Sequence, residues 1–174
     1  MKLYLVRHAQ PAPKEYTNQY PGPGLGSIGR KQAEWMARIL AGKKVEAIWA
    51  SDFTRVKESL KPFCEAINEA TDIRFSTALR EREPALESHE SLNNRVKDWF
   101  KKAYSEIESE TTAIFSHCGP LNMILESLDP KKERLKYPYR SRFGCHTPIA
   151  GIWEINLDSV SGKLIQCPIH EPAK

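Results

Sequence analysis

Three polar clusters contain the residues of this sequence that are best suited to chemistry. Arg7 and His8 form the first, residues 51–55 with their arginine form the second, and Ser116 and His117 form the third. Together they offer two guanidinium groups and two imidazoles, which match a phosphoryl group in charge and in bidentate donor geometry. A carboxylate ligand would require fewer cations. The three clusters therefore indicate a site for a phosphate-bearing substrate.

The chemistry open to such a site is phosphoryl transfer to a histidine. An imidazole can act as the nucleophile, which divides hydrolysis into transfer to nitrogen and attack of water on the phosphohistidine. The remaining cations would hold the equatorial oxygens as the bond loosens. An acid must also protonate the departing alcohol. Glu81 and Glu83, in the run Leu-Arg-Glu-Arg-Glu, are both candidates on this reasoning.

Short β-prone runs precede the clusters, at residues 3–6, 45–51 and 111–116, and further runs follow at residues 149–156 and 163–167. Strands that alternate with helices predict a three-layer αβα sandwich with a central, mostly parallel sheet. Ligand sites in such sheets lie beyond the carboxyl ends of the strands, so we expect the clusters to converge there. The predicted helices carry buried stripes at Ala33, Met36, Ala37 and Leu40; Val56, Leu60, Phe63 and Ile67; Leu92, Val96, Trp99, Ala103 and Ile107; and Leu121, Ile124, Leu125 and Leu128.

Two segments depart from these regular patterns. Pro62 falls inside the second helical stripe and predicts a kink or a restart of that helix. Residues 130–145 are rich in Lys, Arg, Tyr and Pro without a clear period, so they are predicted to form a loop. Arg140 and Arg142 are interpreted as solvated charges of that loop, with the mouth of the pocket as the alternative position.

The composition is that of a soluble globular protein. The 174 residues fit one domain, residues 1–174, with 40% hydrophobic and 28% charged residues. No apolar run approaches the ~20 residues that cross a bilayer, and residues 3–6 are too short for a signal-peptide core, which predicts a cytoplasmic protein without a membrane partner. The net charge of +4 comes without a long basic block, so no nucleic-acid partner is expected.

Cysteine and histidine spacing indicates neither a disulfide framework nor a metal site. Cys64, Cys118, Cys145 and Cys167 are widely scattered, and we predict that all four are reduced thiols. No His/Cys cluster has the spacing of zinc ligands, so no metal and no cofactor are expected.

The motifs that contain these residues resemble those of the histidine phosphatase superfamily, the phosphoglycerate-mutase-like proteins. The run Leu-Val-Arg-His-Ala-Gln at residues 5–10 is similar to the signature of that family. The further matches follow in the family's order and cover most of residues 2–125: Leu25-x-x-x-Gly29-x-x-Gln32-Ala33, Ser51-Asp52-x-x-Arg55, Leu79-Arg80-Glu81, Glu90-Ser91-Leu92 with Arg95-Val96, and Phe115-Ser116-His117-x-Gly119.

The resemblance implies a phosphoglycerate-mutase-like fold and a role for each matching residue. His8 corresponds to the phosphorylated nucleophile, Arg7 and Arg55 to phosphate ligands, and His117 to the second histidine of the pocket. Glu81 corresponds to the proton donor.

Several positions depart from the family pattern. Ala9 replaces the usual glycine, Gly26 stands where Ser or Thr often caps the helix, and Cys118 replaces a glycine. Residues 81–91 form a much shorter segment than usual and lack a Gly-x-Trp-Glu-Gly-like element. We therefore expect an open active site with little lid.

These observations predict a metal-independent phosphatase that hydrolyses phosphate monoesters or phosphoprotein groups through a phosphohistidine on His8. An open pocket would admit a side chain of a folded partner, such as a phosphohistidine. A mutase must retain and reorient its intermediate away from water, which the short segment makes difficult. The alternative of another class is a non-catalytic phosphate- or phosphoprotein-binding module, which the presence of His8 and of nearby acids disfavours.

Overall fold

The computed structural model describes residues 1–12, 18–67, 72–107, 111–129, 131–141 and 144–170. Within these residues, six strands form one sheet with the spatial order β3-β2-β4-β1-β5-β6. The strands are β1 (Lys2–Arg7), β2 (Ala47–Ala50), β3 (Asp72–Phe75), β4 (Thr112–Ser116), β5 (Ile152–Asn156) and β6 (Ser161–Ile165). Strands β1 to β4 are mutually parallel, whereas β5 runs antiparallel to β1 and β6 runs antiparallel to β5.

Four helices cover the two faces of the sheet: α1 (Ser27–Ala41), α2 (Thr54–Ile67), α3 (His89–Ile107) and α4 (Cys118–Leu128). Tyr4 and Val6 of β1 are buried with α1 and α2, whereas Leu3 and Leu5 are buried with α3 and α4. The central strand is therefore apolar on both faces, as expected for a sheet between two helical layers. The predicted three-layer arrangement with a mostly parallel sheet is confirmed.

The structure differs from the sequence-based expectation for Pro62. Helix α2 is continuous from Thr54–Ile67 with Pro62 inside it, so the predicted restart does not occur. Val56 and Leu60 precede the proline and Phe63 follows it, and all three are buried in the same core. Burial on both sides of the proline favours continuation of the helix despite the lost hydrogen bond.

The predicted loop between α4 and β5 contains one short regular element. A 3₁₀ turn spans Glu133–Lys136, and the Asp129 carboxylate accepts hydrogen bonds from the backbone N–H groups of Glu133 (2.6 Å) and Arg134 (2.8 Å). Arg140 is exposed, in agreement with a solvated charge. Arg142 lies outside the described residues.

The prediction of four reduced cysteines is wrong for one pair. Cys118 and Cys145 form a disulfide with a Cα–Cα distance of 5.9 Å, whereas Cys64 and Cys167 are free. The pair is separated by 27 residues, and its members approach only because the segment before β5 runs beside the start of α4. A disulfide of this kind has no spacing signature in the sequence.

Glu154 of β5 is a buried carboxylate at the opposite end of the sheet from the polar clusters. It is 8% exposed and forms ion pairs with Lys2 (2.6 Å), Lys43 (3.1 Å) and Lys163 (3.7 Å). Burial alone would raise the pKa of Glu154, but these lysines hold it at about 2.

In the described part of the chain, no helix is long and apolar enough to cross a membrane.

Candidate active site

The three polar clusters meet at the carboxyl edge of the parallel strands. Because β2, β4 and β1 are neighbours, His8, Ser51 and His117 each follow the end of an adjacent strand. Backbone hydrogen bonds extend the register past the strand ends, from His8 N to Ser116 O (3.0 Å) and from Ser51 N to Phe115 O (2.9 Å). The topology therefore brings together side chains that are distant in the sequence.

The two histidines and Arg55 are in direct contact and are almost completely buried. The ring centroids of His8 and His117 lie 5.0 Å apart, and Arg55 Nε is 3.3 Å from His8 Nε2. His8 is 2% exposed, and the other two side chains are fully buried. His8 Nδ1 lies 2.8 Å from the carbonyl oxygen of Ala9. A carbonyl can only accept, so Nδ1 carries the hydrogen and Nε2 of the neutral ring keeps its lone pair.

Burial and positive charge keep both imidazoles neutral. The pKa of His8 lies well below its usual value because burial penalises the charged form, and Arg55 and Arg7 act in the same direction. The pKa of His117 is lowered well below its usual value by burial first, and then by His8 and the same arginines. A nucleophilic role requires a neutral imidazole, and the Nε2 lone pair of His8 accepts only the long hydrogen bond from Arg55 Nε (3.3 Å).

The two arginines are held by different parts of the fold. Arg7 is half-buried, and its Nη1 donates to the carbonyl oxygen of Thr147 (2.8 Å) and lies 3.7 Å from Cys145 Sγ. The guanidinium of Arg55 lies over the Phe53 ring, with its central carbon 4.6 Å from the ring centroid. The segment before β5 thus orients one guanidinium, and α2 supplies the other.

The backbone after His8 is fixed by buried polar side chains of α1 and α2. Gln32 Oε1 accepts from the N–H of Gln10 (2.8 Å), and Ser59 Oγ accepts from the N–H of Ala9 (2.9 Å). Gly29 permits the close approach of α1, since a Cβ there would lie 2.0 Å from the carbonyl oxygen of Gln10. These contacts explain how the Gly-x-x-Gln-Ala motif supports the site, although its residues lie on α1 and outside the three polar clusters.

Glu81 reaches the site beside the start of α4. One carboxylate oxygen accepts from the backbone N–H of Arg82 (3.0 Å), and the other accepts from that of Gly119 (3.3 Å). A Cβ at position 119 would lie 2.5 Å from Glu81 Oε1, so a larger residue there would displace the carboxylate. Glu83 instead begins a turn, where its carbonyl oxygen accepts from Leu86 N (3.0 Å) and Glu87 N (2.9 Å). The structure brings Glu81, and not Glu83, next to the helix that follows His117.

Arg95 of α3 braces the segment that carries Glu81. Its guanidinium donates to the carbonyl oxygens of Ala78 (2.6 Å) and Arg80 (2.9 Å) and pairs with Glu87 (2.6 Å). Five donors in a planar fork allow a single arginine to make all three contacts. This support gives a structural reason for the family motif Arg95-Val96 noted in the sequence.

The site is less open than the short segment at residues 81–91 led us to expect. That segment does form only a brief turn before α3, but residues 18–24 cover Arg55 from the other side. Asn18 Oδ1 accepts a hydrogen bond from Arg55 Nη2 (3.4 Å). Gly22 has a φ of +69°, and a Cβ at this position would lie only 2.6 Å from Arg55 Nη1. Two clefts of about 270 and 300 Å³ flank this cover, and Glu81 and Asn18 line both.

Two contact residues of the site were not predicted from the sequence. Ser59 donates a hydrogen bond to the carbonyl oxygen of Arg55 (2.6 Å). Ser59 follows Arg55 by four residues on the same helix, and this spacing could have predicted that the two residues lie on one face. Asn18 lies in an irregular stretch whose sequence offers no periodicity.

Among the residues that the structure describes, no group of three or more His, Cys, Asp or Glu side chains could hold a metal ion.

Part of the chain matches a known protein family. The profile of the histidine phosphatase superfamily (branch 1) matches residues 3–84, which include Arg7, His8, Arg55 and Glu81. The matched part, just under half of the chain, is therefore similar to the histidine phosphatase superfamily. No curated protein sequence matches it significantly.

Solved structures of phosphatases show the same fold as this chain. The protein assigned as the phosphohistidine phosphatase SixA from Agrobacterium tumefaciens has a TM-score of 0.67 at 19% identity, over 95% of this chain and 96% of that one. The protein assigned as an alpha-ribazole-5'-P phosphatase from Escherichia coli has a TM-score of 0.72 at 17% identity, over 95% of both chains. The mycobacterial glucosyl-3-phosphoglycerate phosphatase has a TM-score of 0.67 at 17% identity, over 94% and 96%. The predicted phosphoglycerate-mutase-like fold is confirmed.

Proposed function

We propose that this chain is a phosphatase that hydrolyses phosphate monoesters or phosphoryl groups on proteins through a phosphohistidine on His8. The observation that carries the proposal is the hydrogen bond from His8 Nδ1 to the Ala9 carbonyl oxygen. It leaves Nε2 of the neutral imidazole with a lone pair, which accepts a hydrogen bond from Arg55 Nε (3.3 Å) that a bound phosphoryl group would replace. A nucleophile and a cationic phosphate ligand therefore face each other.

The proposed reaction has two steps. His8 Nε2 attacks phosphorus while Arg7, Arg55 and His117 hold the phosphoryl oxygens, the P–O bond to the leaving group breaks, and Glu81 donates its proton to the departing oxygen. In the second step the Glu81 carboxylate accepts a proton from water, which attacks phosphorus and breaks the P–N bond. Inorganic phosphate leaves, and His8 and the protonated Glu81 are restored.

The comparisons support hydrolysis as the reaction class. The structural relatives are phosphatases whose named substrates differ widely, namely phosphohistidine, alpha-ribazole-5'-P and glucosyl-3-phosphoglycerate. A mutase remains the weaker alternative, because the activities named for the structural relatives are hydrolytic.

The arginines supply the positive charge that a metal ion provides in other phosphatases. We therefore propose that the activity is independent of metals, and chelators should leave it intact. Inhibition by EDTA that a divalent ion reverses would contradict this part of the proposal.

The test is a rapid-quench experiment with ³²P-labelled phosphate monoesters and a phosphohistidine protein. The wild type should show a burst of acid-labile label on the protein, followed by release of phosphate. His8→Ala should stay folded, take up no label and lose turnover, whereas His170→Ala, at an exposed histidine outside the three polar clusters, should behave as wild type. Near-normal turnover by His8→Ala would remove the covalent mechanism. Binding of phosphate without label or turnover would favour the non-catalytic module.

A further inference from the structure

We infer that Ser51 is a positioning residue whose hydroxyl selects the tautomer of His117 that donates a hydrogen bond from Nδ1 to the phosphoryl group. The inference rests on the proposed function, since it specifies how the second histidine binds the substrate. It concerns a side chain that touches His117 and need not touch the substrate itself.

The contact between the two side chains is short and fully enclosed. Ser51 Oγ lies 2.9 Å from His117 Nε2, and both residues are 0% exposed. The backbone N–H of Phe53 also points at Ser51 Oγ, at 3.4 Å, and this contact uses an acceptor site of the hydroxyl. The hydroxyl hydrogen remains available for Nε2, and the inference takes Nε2 as its acceptor.

The ring of His117 is fixed on its other sides. Its centroid lies 5.0 Å from the ring centroids of both His8 and Phe53, in edge-to-face arrangements. Ser51 and His117 follow the neighbouring strands β2 and β4, so the sheet register itself sets their separation. The imidazole therefore has little freedom to turn, and its two nitrogens keep distinct surroundings.

A neutral His117 carries one hydrogen, so the tautomer decides what Nδ1 presents. If Nε2 donated to Ser51, Nδ1 would hold a lone pair, which repels an anionic phosphoryl oxygen. If Ser51 donates to Nε2, Nδ1 carries the hydrogen and becomes a donor. Nδ1 is buried and has no hydrogen-bond partner among the described residues.

A buried N–H without a partner is unfavourable in a folded protein, and such groups are commonly explained by a ligand or water. A phosphoryl oxygen between His8 and His117 would supply that partner. Ser51 thus acts through His117, in the way that hydrogen-bonded partners fix the tautomer of other functional histidines.

The test measures the tautomer directly and needs no turnover. In protein labelled with ¹⁵N-histidine, the Nδ1 and Nε2 shifts of His117 should report an Nδ1–H tautomer, with and without inorganic phosphate. Ser51→Ala should convert part or all of His117 to the Nε2–H form and weaken phosphate binding by roughly tenfold, the effect of about one lost hydrogen bond. Ser51→Thr keeps the hydroxyl and should restore both properties.

Ser116→Ala is the matched control. Ser116 is also fully buried, but its hydroxyl donates to the carbonyl oxygen of Leu79 (2.6 Å) and not to an imidazole. This variant should keep the wild-type tautomer of His117. An Nε2–H tautomer in the wild type would overturn the inference even if Ser51→Ala did not fold, as would a Ser51→Ala protein with unchanged tautomer and phosphate affinity. Failure of the proposed function would appear separately, as turnover that survives His8→Ala.

Discussion

Replacing Glu81 with glutamine removes the proposed acid while it keeps the size of the side chain. General acids contribute about 10² to 10⁴ in rate, so the loss should be about 10²-fold or more for an alkyl phosphate, whose leaving group needs a proton. A factor of 10² corresponds to about 2.7 kcal/mol in the activation free energy. Nitrophenyl phosphate should suffer much less, because nitrophenolate leaves without a proton.

The structure also limits the damage that the substitution does to the fold. The Glu81 carboxylate accepts from Arg82 N and Gly119 N through different oxygens, and the glutamine amide can satisfy only one of them. The lost hydrogen bond should lower the free energy of unfolding by about 1 kcal/mol. That is a small part of the ~5 to 15 kcal/mol typical of a domain, so the variant should remain folded.

The assay is kcat/KM for a series of phosphate esters that differ only in the pKa of the leaving alcohol. Glu81→Gln should make the rate depend more steeply on that pKa, whereas Glu83→Gln, in the adjacent turn, should leave the slope unchanged. If the leaving-group-dependent loss appears in Glu83→Gln and not in Glu81→Gln, the acid is two residues further on. If neither variant shows it, the acid lies elsewhere or the natural substrate, such as phosphohistidine, needs none.

Three further predictions concern pH and stability. Because burial and the arginines hold the pKa of His8 well below 6.5, His8 should stay neutral between pH 7 and 6, and its protonation should not lower kcat/KM in this range. The substrate phosphate has its own pKa of about 6, and a fall in kcat/KM larger than its titration causes would contradict this prediction. Glu154 has a folded pKa of about 2 against 4.5, so its stabilisation is full above the unfolded value and is lost as the pH falls towards 2. Because solvent screens the exposed lysine partners, the effect of this pKa shift on stability is reduced. Glu154→Gln should lower the free energy of unfolding in urea by about 2 kcal/mol at pH 7 and by little at pH 2. Equal losses at both pH values would refute the ion pairs as the cause. Reduction of Cys118–Cys145, which are separated by 27 residues, should lower the free energy of unfolding by about 3 kcal/mol, and Cys145→Ser protein should show no such response to reductant.

The mostly parallel sheet and the convergence of the clusters were predicted from short-range patterns, whereas the order of the strands was not. Alternating strands and helices imply parallel strands, and parallel strands place His8 and His117 at one edge. The choice of Glu81 over Glu83 required the resemblance, because the local chemistry of the two glutamates is the same. The three-dimensional contact at Gly119 distinguishes them, and a contact between residues so far apart leaves no periodic signal.

The errors share a physical cause, which is contact between irregular segments. The disulfide joins the first residue of α4 to a segment without regular structure, and the cover over Arg55 comes from residues 18–24. Neither segment has a hydrophobic period that would fix its path. Pro62 shows the reverse case, where burial of the surrounding helix overrides a local preference.

The position of β1 in the middle of the sheet has a consequence for biosynthesis. Leu3 pairs with Thr112 on one side and with Ile155 on the other, so the central strand finds its neighbours only among residues made much later. At a translation rate of ~5 to 20 residues per second, that delay is on the order of 10 s. During this time, a strand that is apolar on both faces stays unpaired and is prone to aggregate. His8, the proposed nucleophile, directly follows that strand, so the site around it can form only once most of the polypeptide has emerged from the ribosome.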